Sequence, residues 1–134
     1  MIVLDASAAV ELVLNLPRAA PGLRARLAET GETLHVPHVF DLEVLAAIRR
    51  HALRGRLSEL RMRRALRALD DLRATRYSHV PLRARIWELR ENVTPYDGAY
   101  VALAEALPAP LVTVDAALAG AAGPRAVVEL HPSP

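Results

Sequence analysis

In the stretch MIVLDASAAVELVL, residues 1–14, an apolar run from Met1 to Leu4 stops at Asp5, and Ser7 to Leu14 continues with helical character. Near the other end, PLVTVDAALA, residues 110–119, repeats the pattern. The apolar run Leu111–Val114 leads into Asp115, followed by a short Ala-rich helix over Asp115–Ala121. A strand buried on both faces reads as a continuous apolar run, and alternation of such runs with helices marks a parallel sheet with crossover helices. The rest of the chain fills in that alternation. Helices are predicted over Pro17–Glu29, from Val39 to near Gly55, from Ser58, over Pro81–Glu91 and over Tyr96–Leu107. Strands are predicted over Leu34–Val36, Thr75–Val80 and Val127–Leu130. Gly55 suits the left-handed position after a helix. The helix from Ser58 is amphipathic, with Met62, Ala65, Leu66, Leu69 and Leu72 on one stripe and Arg63, Arg64, Arg67 and Asp71 on the other. The expected architecture is α/β, a three-layer α/β/α sandwich on a mostly parallel central sheet, in one domain over residues 1–134.

A chain of 134 residues buries about two-thirds of its unfolded surface, enough for a sizeable core without disulfide or metal staples. It holds 17 Arg and no Lys or Cys. Without Lys there is no P-loop lysine and no Schiff base. Without Cys there is no thiol nucleophile, thiolate zinc site or disulfide framework, and a reducing cytoplasm is the expected location. No basic leader precedes a long apolar run, and no segment approaches the roughly 18 apolar residues of a membrane span, so neither export nor membrane insertion is expected. The five His, at 35, 38, 51, 79 and 131, lack the spacing of a helical metal pair. No Ser/His/Asp order and no Gly-rich phosphate loop is visible.

In an open parallel sheet the ligand crevice lies beyond the carboxyl ends of the strands, where Asp5 and Asp115 should stand. Each could instead cap the helix it precedes, a role worth roughly 1 kcal/mol. Asp97 has a structural alternative too, because Thr94-Pro95-Tyr96-Asp97 has the spacing of a capping box with Pro at the first helical position. Glu43 differs from these. Its neighbours one turn away are Val39, Phe40, Ala46 and Ala47, with no basic residue in reach along the helix. A carboxylate on an apolar stripe costs several kcal/mol unless it is paired, protonated or bound to a cation. Its partner is therefore an Arg from elsewhere or a metal shared with the other crevice acids. An all-oxygen cluster of Asp5, Glu43, Asp97 and Asp115 suits Mg²⁺ or Mn²⁺ and not zinc. Ser7 and Thr113 offer hydroxyls at the same crevice, to hold a water or a phosphate oxygen, or to cap helices.

Charge is segregated along the chain. Between Arg49 and Arg90 there are 13 Arg against Glu59, Asp70, Asp71 and Glu88, a local balance of +9. The remainder carries 4 Arg and 11 acids, hence −7. A basic surface beside an acidic metal site is what a polyphosphate needs, with Arg49, Arg50, Arg63 and Arg64 as candidate nucleic-acid contacts. The alternative is a solvated helix face in which Arg67 pairs with Asp71. Aromatic residues are too few for a base-stacking platform, so contact would be mainly with the backbone.

IVLDASA with Asp5 and Ser7, VPHVFDLEVLAAIRR with Glu43, TPYDGAYVALAEAL with Asp97, and PLVTVDAALA with Thr113 and Asp115 together resemble the PIN-domain ribonucleases. The likeness is to the VapC-type toxins of bacterial toxin-antitoxin pairs. The order of the pieces, and the spacings of 38, 54 and 18 between the four acids, carry it over nearly the whole chain. The resemblance implies a three-layer fold and four acids binding one or two Mg²⁺ or Mn²⁺ ions. It also implies endonucleolytic hydrolysis of RNA by a metal-activated water. It further implies a homodimer and a small cognate antitoxin whose basic tail reaches the acidic crevice. Gly98 stands where relatives more often have Ala, which predicts a looser first turn, and no acid between Asp115 and Glu129 fills a fifth ligand position. Two other readings share these residues: a non-catalytic PIN-like module binding RNA or protein, and a phosphohydrolase of small phosphate esters, which would not need the Arg-rich half.

Overall fold

The computed structural model describes residues 1–16 and 21–132. Five strands form one sheet: β1 (Ile2–Leu4), β2 (Leu34–Pro37), β3 (Ala74–Tyr77), β4 (Leu111–Thr113) and β5 (Val128–Leu130). The helices are α1 (Ala6–Val13), α2 (Pro21–Leu27), α3 (Phe40–Leu53), α4 (Glu59–Asp71), α5 (Arg83–Glu88), α6 (Pro95–Ala106) and α7 (Ala116–Ala119). The strand order is β3-β2-β1-β4-β5 and every pairing is parallel. Steps from β1 to β2 to β3 run one way across the sheet, so right-handed crossovers place α1 to α4 on one face. The return from β3 to β4 and on to β5 places α5, α6 and α7 on the other. Packing agrees with this layering: α1 meets α3 and α4, while α5 meets α6. The result is the expected three-layer α/β/α sandwich.

Ile2, Val3, Leu4, Leu111 and Val112 are fully buried at the centre of the core. The order of the strands reverses between β1 and β4, so the crevice of the fold opens between the ends of those two strands. No helix among the described residues is long and apolar enough to cross a membrane.

Several predicted boundaries shift for local reasons. The first four residues of the Pro17–Glu29 prediction lie outside the described residues, and the helix found there is α2. The strand predicted over Thr75–Val80 ends at Tyr77, and Val80–Leu82 is a 3₁₀ turn leading into α5. Pro81 has no N–H to give to a sheet or to continue a helix. Leu66, expected on the buried stripe of α4, is 41% exposed; Ala65 and Leu69 make that contact. The Arg67–Asp71 pair is not among the ion pairs of the described residues. Gly55 takes φ 67°, as expected of it. Gly98 does not loosen its helix but lets α6 close on α5, since a Cβ there would lie 3.3 Å from Ile86 Cγ2.

Candidate active site

Asp5 follows β1 directly and is 5% exposed. It occupies the N-cap position of α1, yet its side chain makes no capping bond. Its carboxylate turns across the switch point instead. The hydroxyls of Ser7 and Thr113 (2.7 Å) both donate to the same oxygen, Oδ2. Those hydroxyls in turn accept backbone N–H groups at the end of β4, Ser7 from Val114 at 3.4 Å and Thr113 from Asp115 at 3.0 Å. The two predicted hydroxyls therefore hold Asp5 in place and tie the end of β1 to the end of β4.

Glu43 meets neither an Arg nor an isolated apolar wall. Tyr100 Oη, from the fully buried Tyr100 of α6, donates to its Oε2 at 2.5 Å. Tyr100 is the residue that sequence reasoning missed. Its signal was available, because Tyr100 lies three residues after Asp97 and so faces the same side of α6. Asp97 itself sits in the first turn of α6, where the Thr94 hydroxyl accepts its backbone N–H at 3.2 Å. The capping function belongs to Thr94.

Asp5, Glu43 and Asp97 line one cavity of about 240 Å³, together with Ser7, Val10 and Arg50. Asp115 does not line it. Its Oδ1 accepts the N–H groups of Ala117 (2.8 Å) and Leu118 (3.3 Å), the capping role foreseen as its alternative. Its charge still acts on the site. Burial pushes the Asp5 carboxyl above its ordinary range; bonds from Ser7, Thr113 and the Ala6 N–H draw it back, and Asp115 pushes it up again. Glu43 is raised by burial and by the charges of Asp5 and Asp97, against the Tyr100 bond. Asp97 is raised by burial, then by Asp5 and Asp115, with the Thr94 hydroxyl opposing. Tyr100 is raised strongly, first by burial and then by its bond to Glu43.

Among the described residues none of these four acids has an ion pair, and no three His, Asp or Glu side chains are gathered closely enough to hold an ion between them as they stand. Of the candidate arginines, Arg50 lines the cavity, whereas Arg49, Arg63 and Arg64 lie exposed on α3 and α4 away from it.

The model of the PIN domain family matches residues 2–124. The chain belongs to the PIN-domain family. Within it the chain is a member of the VapC ribonucleases. It is 49% identical to Ribonuclease VapC9 of Mycobacterium tuberculosis over 115 residues, 86% of each chain. It is 45% identical to Ribonuclease VapC12 of the same organism over 130 residues, 97% of this chain and 98% of that one. Two solved structures share the PIN fold. PAE2754 from Pyrobaculum aerophilum superposes with TM-score 0.67 at 22% identity, covering 95% of this chain and 81% of that one. VapBC2 from Rickettsia felis, bound to a DNA fragment from their promoter, superposes with TM-score 0.68 at 17% identity, covering 96% and 98%.

Proposed function

We propose that residues 1–134 work as one PIN-like unit, a Mg²⁺- or Mn²⁺-dependent endoribonuclease that acts as the toxin of a toxin-antitoxin pair in the cytoplasm. One observation carries this reading: Asp5, Glu43 and Asp97 arrive from three separate elements at one cavity, each held above its ordinary protonation range and none in an ion pair among the described residues. A fold keeps such an arrangement only if something positive belongs there. The donor set fits a hard divalent cation, which takes one or two carboxylates and keeps several waters. The cavity of about 240 Å³ has room for on the order of eight waters. Asp5, Glu43 and Asp97 would hold the ion directly, with Asp115 adding negative charge behind them, and a second ion would rest on Asp115. Such an ion, when bound, neutralises charge on the phosphate and leaving oxygens and lowers the pKa of a water.

The chain's own residues then set the geometry. Ser7 and Thr113 fix the Asp5 carboxylate across the ends of β1 and β4, Tyr100 fixes Glu43, and the N-terminal turn of α6 fixes Asp97. Arg50 faces the phosphate from the cavity wall, and exposed Arg49, Arg63 and Arg64 add to the basic field that draws RNA in. Trp87 and Tyr96 are exposed and line an apolar cavity of about 510 Å³ with Ile86 and Ala99. An apolar surface of that kind fits a homodimer contact of α5 and α6, and a small antitoxin completes the assembly.

The test is incubation of the antitoxin-free chain with total bacterial RNA in Mg²⁺ or Mn²⁺, in EDTA, and beside Asp97→Asn. Discrete fragments that need both metal and Asp97 are expected. Fragments that persist in EDTA or with Asp97→Asn would overturn the assignment.

A further inference from the structure

α1 and α3 both start at the acidic cavity and lead away from it, since helices that follow parallel strands run back along them. Ala6, Ser7 and Val10 of α1 face Glu43, Ala46, Ala47 and Arg50 of α3 there. Glu43 to Arg54 is eleven residues, a rise of roughly 16 Å, and over that distance the character of the surface reverses. Arg50, Arg54 and Arg56 are exposed around the end of α3, and none makes an ion pair or a side-chain hydrogen bond among the described residues. Arg61, from α4, joins them by donating to the Leu14 carbonyl at the end of α1 at 3.2 Å. Burial first, and then the charges of Arg56, Arg50, Arg54 and Arg61, hold His51 below the usual imidazole range, so all four guanidinium groups lie in its neighbourhood. The cluster is thus continuous in space, and Arg50 belongs both to it and to the acidic cavity.

Resting on the nuclease reading above, we infer that Arg50, Arg54, Arg56 and Arg61 form a one-sided phosphate track, so that the RNA is gripped beyond its cut site as well as at it. Free arginines in series are what a polyanion needs, because phosphate contacts position a strand without reading its sequence. An acidic protein segment would also fit the arginines. The observations favour RNA because the track runs into three carboxylates that would repel an acidic peptide, whereas a phosphodiester is the group those carboxylates serve through their cation.

Arg54→Ala/Arg56→Ala tests the track with residues about a turn or more beyond the cavity. On a long unstructured oligoribonucleotide the double variant should raise KM about tenfold and leave kcat unchanged. The slope of log affinity against log salt should fall by about 1.4, two single-strand phosphate contacts. A trinucleotide, too short to leave the cavity, should be cleaved equally by both proteins. Arg125→Ala, on the far side of the sheet, should change nothing. If the native chain cleaves long RNA and the double variant matches it in KM and salt slope, the track is wrong and the nuclease reading stands. Loss of antitoxin binding with RNA cleavage intact would reassign the cluster to the antitoxin and overturn the inference. A native chain that neither binds nor cleaves RNA would remove both.

Discussion

Two groups of acids in this molecule live by opposite rules. At the carboxyl ends of the strands, Asp5, Glu43 and Asp97 share a cavity, have no ion pairs among the described residues, and are all pushed towards protonation. Elsewhere, Glu32, Asp41 and Glu105 are each matched to an Arg. Arg26 reaches Glu32 at 2.6 Å, Arg76 grips Asp41 at 2.6 and 2.8 Å, and Arg85 grips Glu105 at 2.8 and 3.1 Å. These acids are held below their ordinary range, foremost by hydrogen bonds: from the chain's N-terminus and Arg26 to Glu32, from Arg76 to Asp41, and from Arg85 to Glu105. Cavity size points the wrong way. A larger cavity of about 660 Å³, at the amino ends of β4 and β5, is lined by Glu105 and Glu129, both bound to Arg. The smaller one holds acids that make no ion pair among the described residues. Among the described residues no Arg is paired with those three, which separates acids that stabilise the structure from acids that serve a ligand.

The strongest challenge to that division is Asp5→Asn. Both hydroxyls donate to one oxygen of Asp5, so the amide carbonyl of Asn keeps both of those bonds while the charge is lost. RNA cleavage should disappear while the thermal midpoint stays level or rises, because a buried charge is removed. A large fall in the midpoint would place Asp5 with the structural acids. Tyr100→Phe comes next. Losing the support of a ligand typically costs about tenfold or more in activity, and about 1 kcal/mol of stability goes with a hydrogen bond. Since the Tyr100 bond holds the Glu43 pKa down, the acid limb of the pH–rate profile should move up; an unmoved limb would show that Glu43 is not coupled to the reaction. On the paired side, Arg85→Ala should cost about 1 kcal/mol after allowance for partial exposure, read by chemical denaturation, with cleavage unaltered.

The smallest effect is the pH dependence of stability, where the two groups carry opposite signs. Glu32, Asp41 and Glu105 have depressed folded values, so their stabilisation is complete above the unfolded range near about 4 and is lost as pH falls through the folded values. Asp5, Glu43 and Asp97 have raised folded values, so their destabilisation is complete above those values and is relieved as pH falls towards about 4. Without metal, the midpoint should rise from neutral to mildly acid pH and then drop steeply. With Mn²⁺ the neutral side should be lifted selectively. A midpoint falling steadily from pH 7 downwards, and indifferent to Mn²⁺, would erase the distinction.

Much of this was legible in the chain. Unbroken apolar runs ending at Asp5 and after Thr113 named the parallel strands and the position of the crevice, because burial on both faces leaves no alternation to confuse. The edge strand β3 was found but carried past its end at Tyr77, since its residues are at most half-buried and carry little burial signal. Glu43 was conspicuous as an acid on an apolar stripe, but its partner came from 57 residues away, and periodicity along one helix says nothing about what another helix brings. The same limit hid the double service of Ser7 and Thr113, which exists only because β1 and β4 are neighbours. Asp115 illustrates the reverse: a cap and a charge near the site are compatible roles for one carboxylate, and sequence offered them as rivals.

The most direct measurement is a calorimetric titration of Mn²⁺ into the antitoxin-free chain and into Asp5→Asn at neutral pH. Saturable binding to the native chain, with protons released as the raised carboxyls ionise and binding lost in Asp5→Asn, is the predicted result. Equal binding by both proteins, or no binding to the native chain, would contradict a cation site built from the crevice acids.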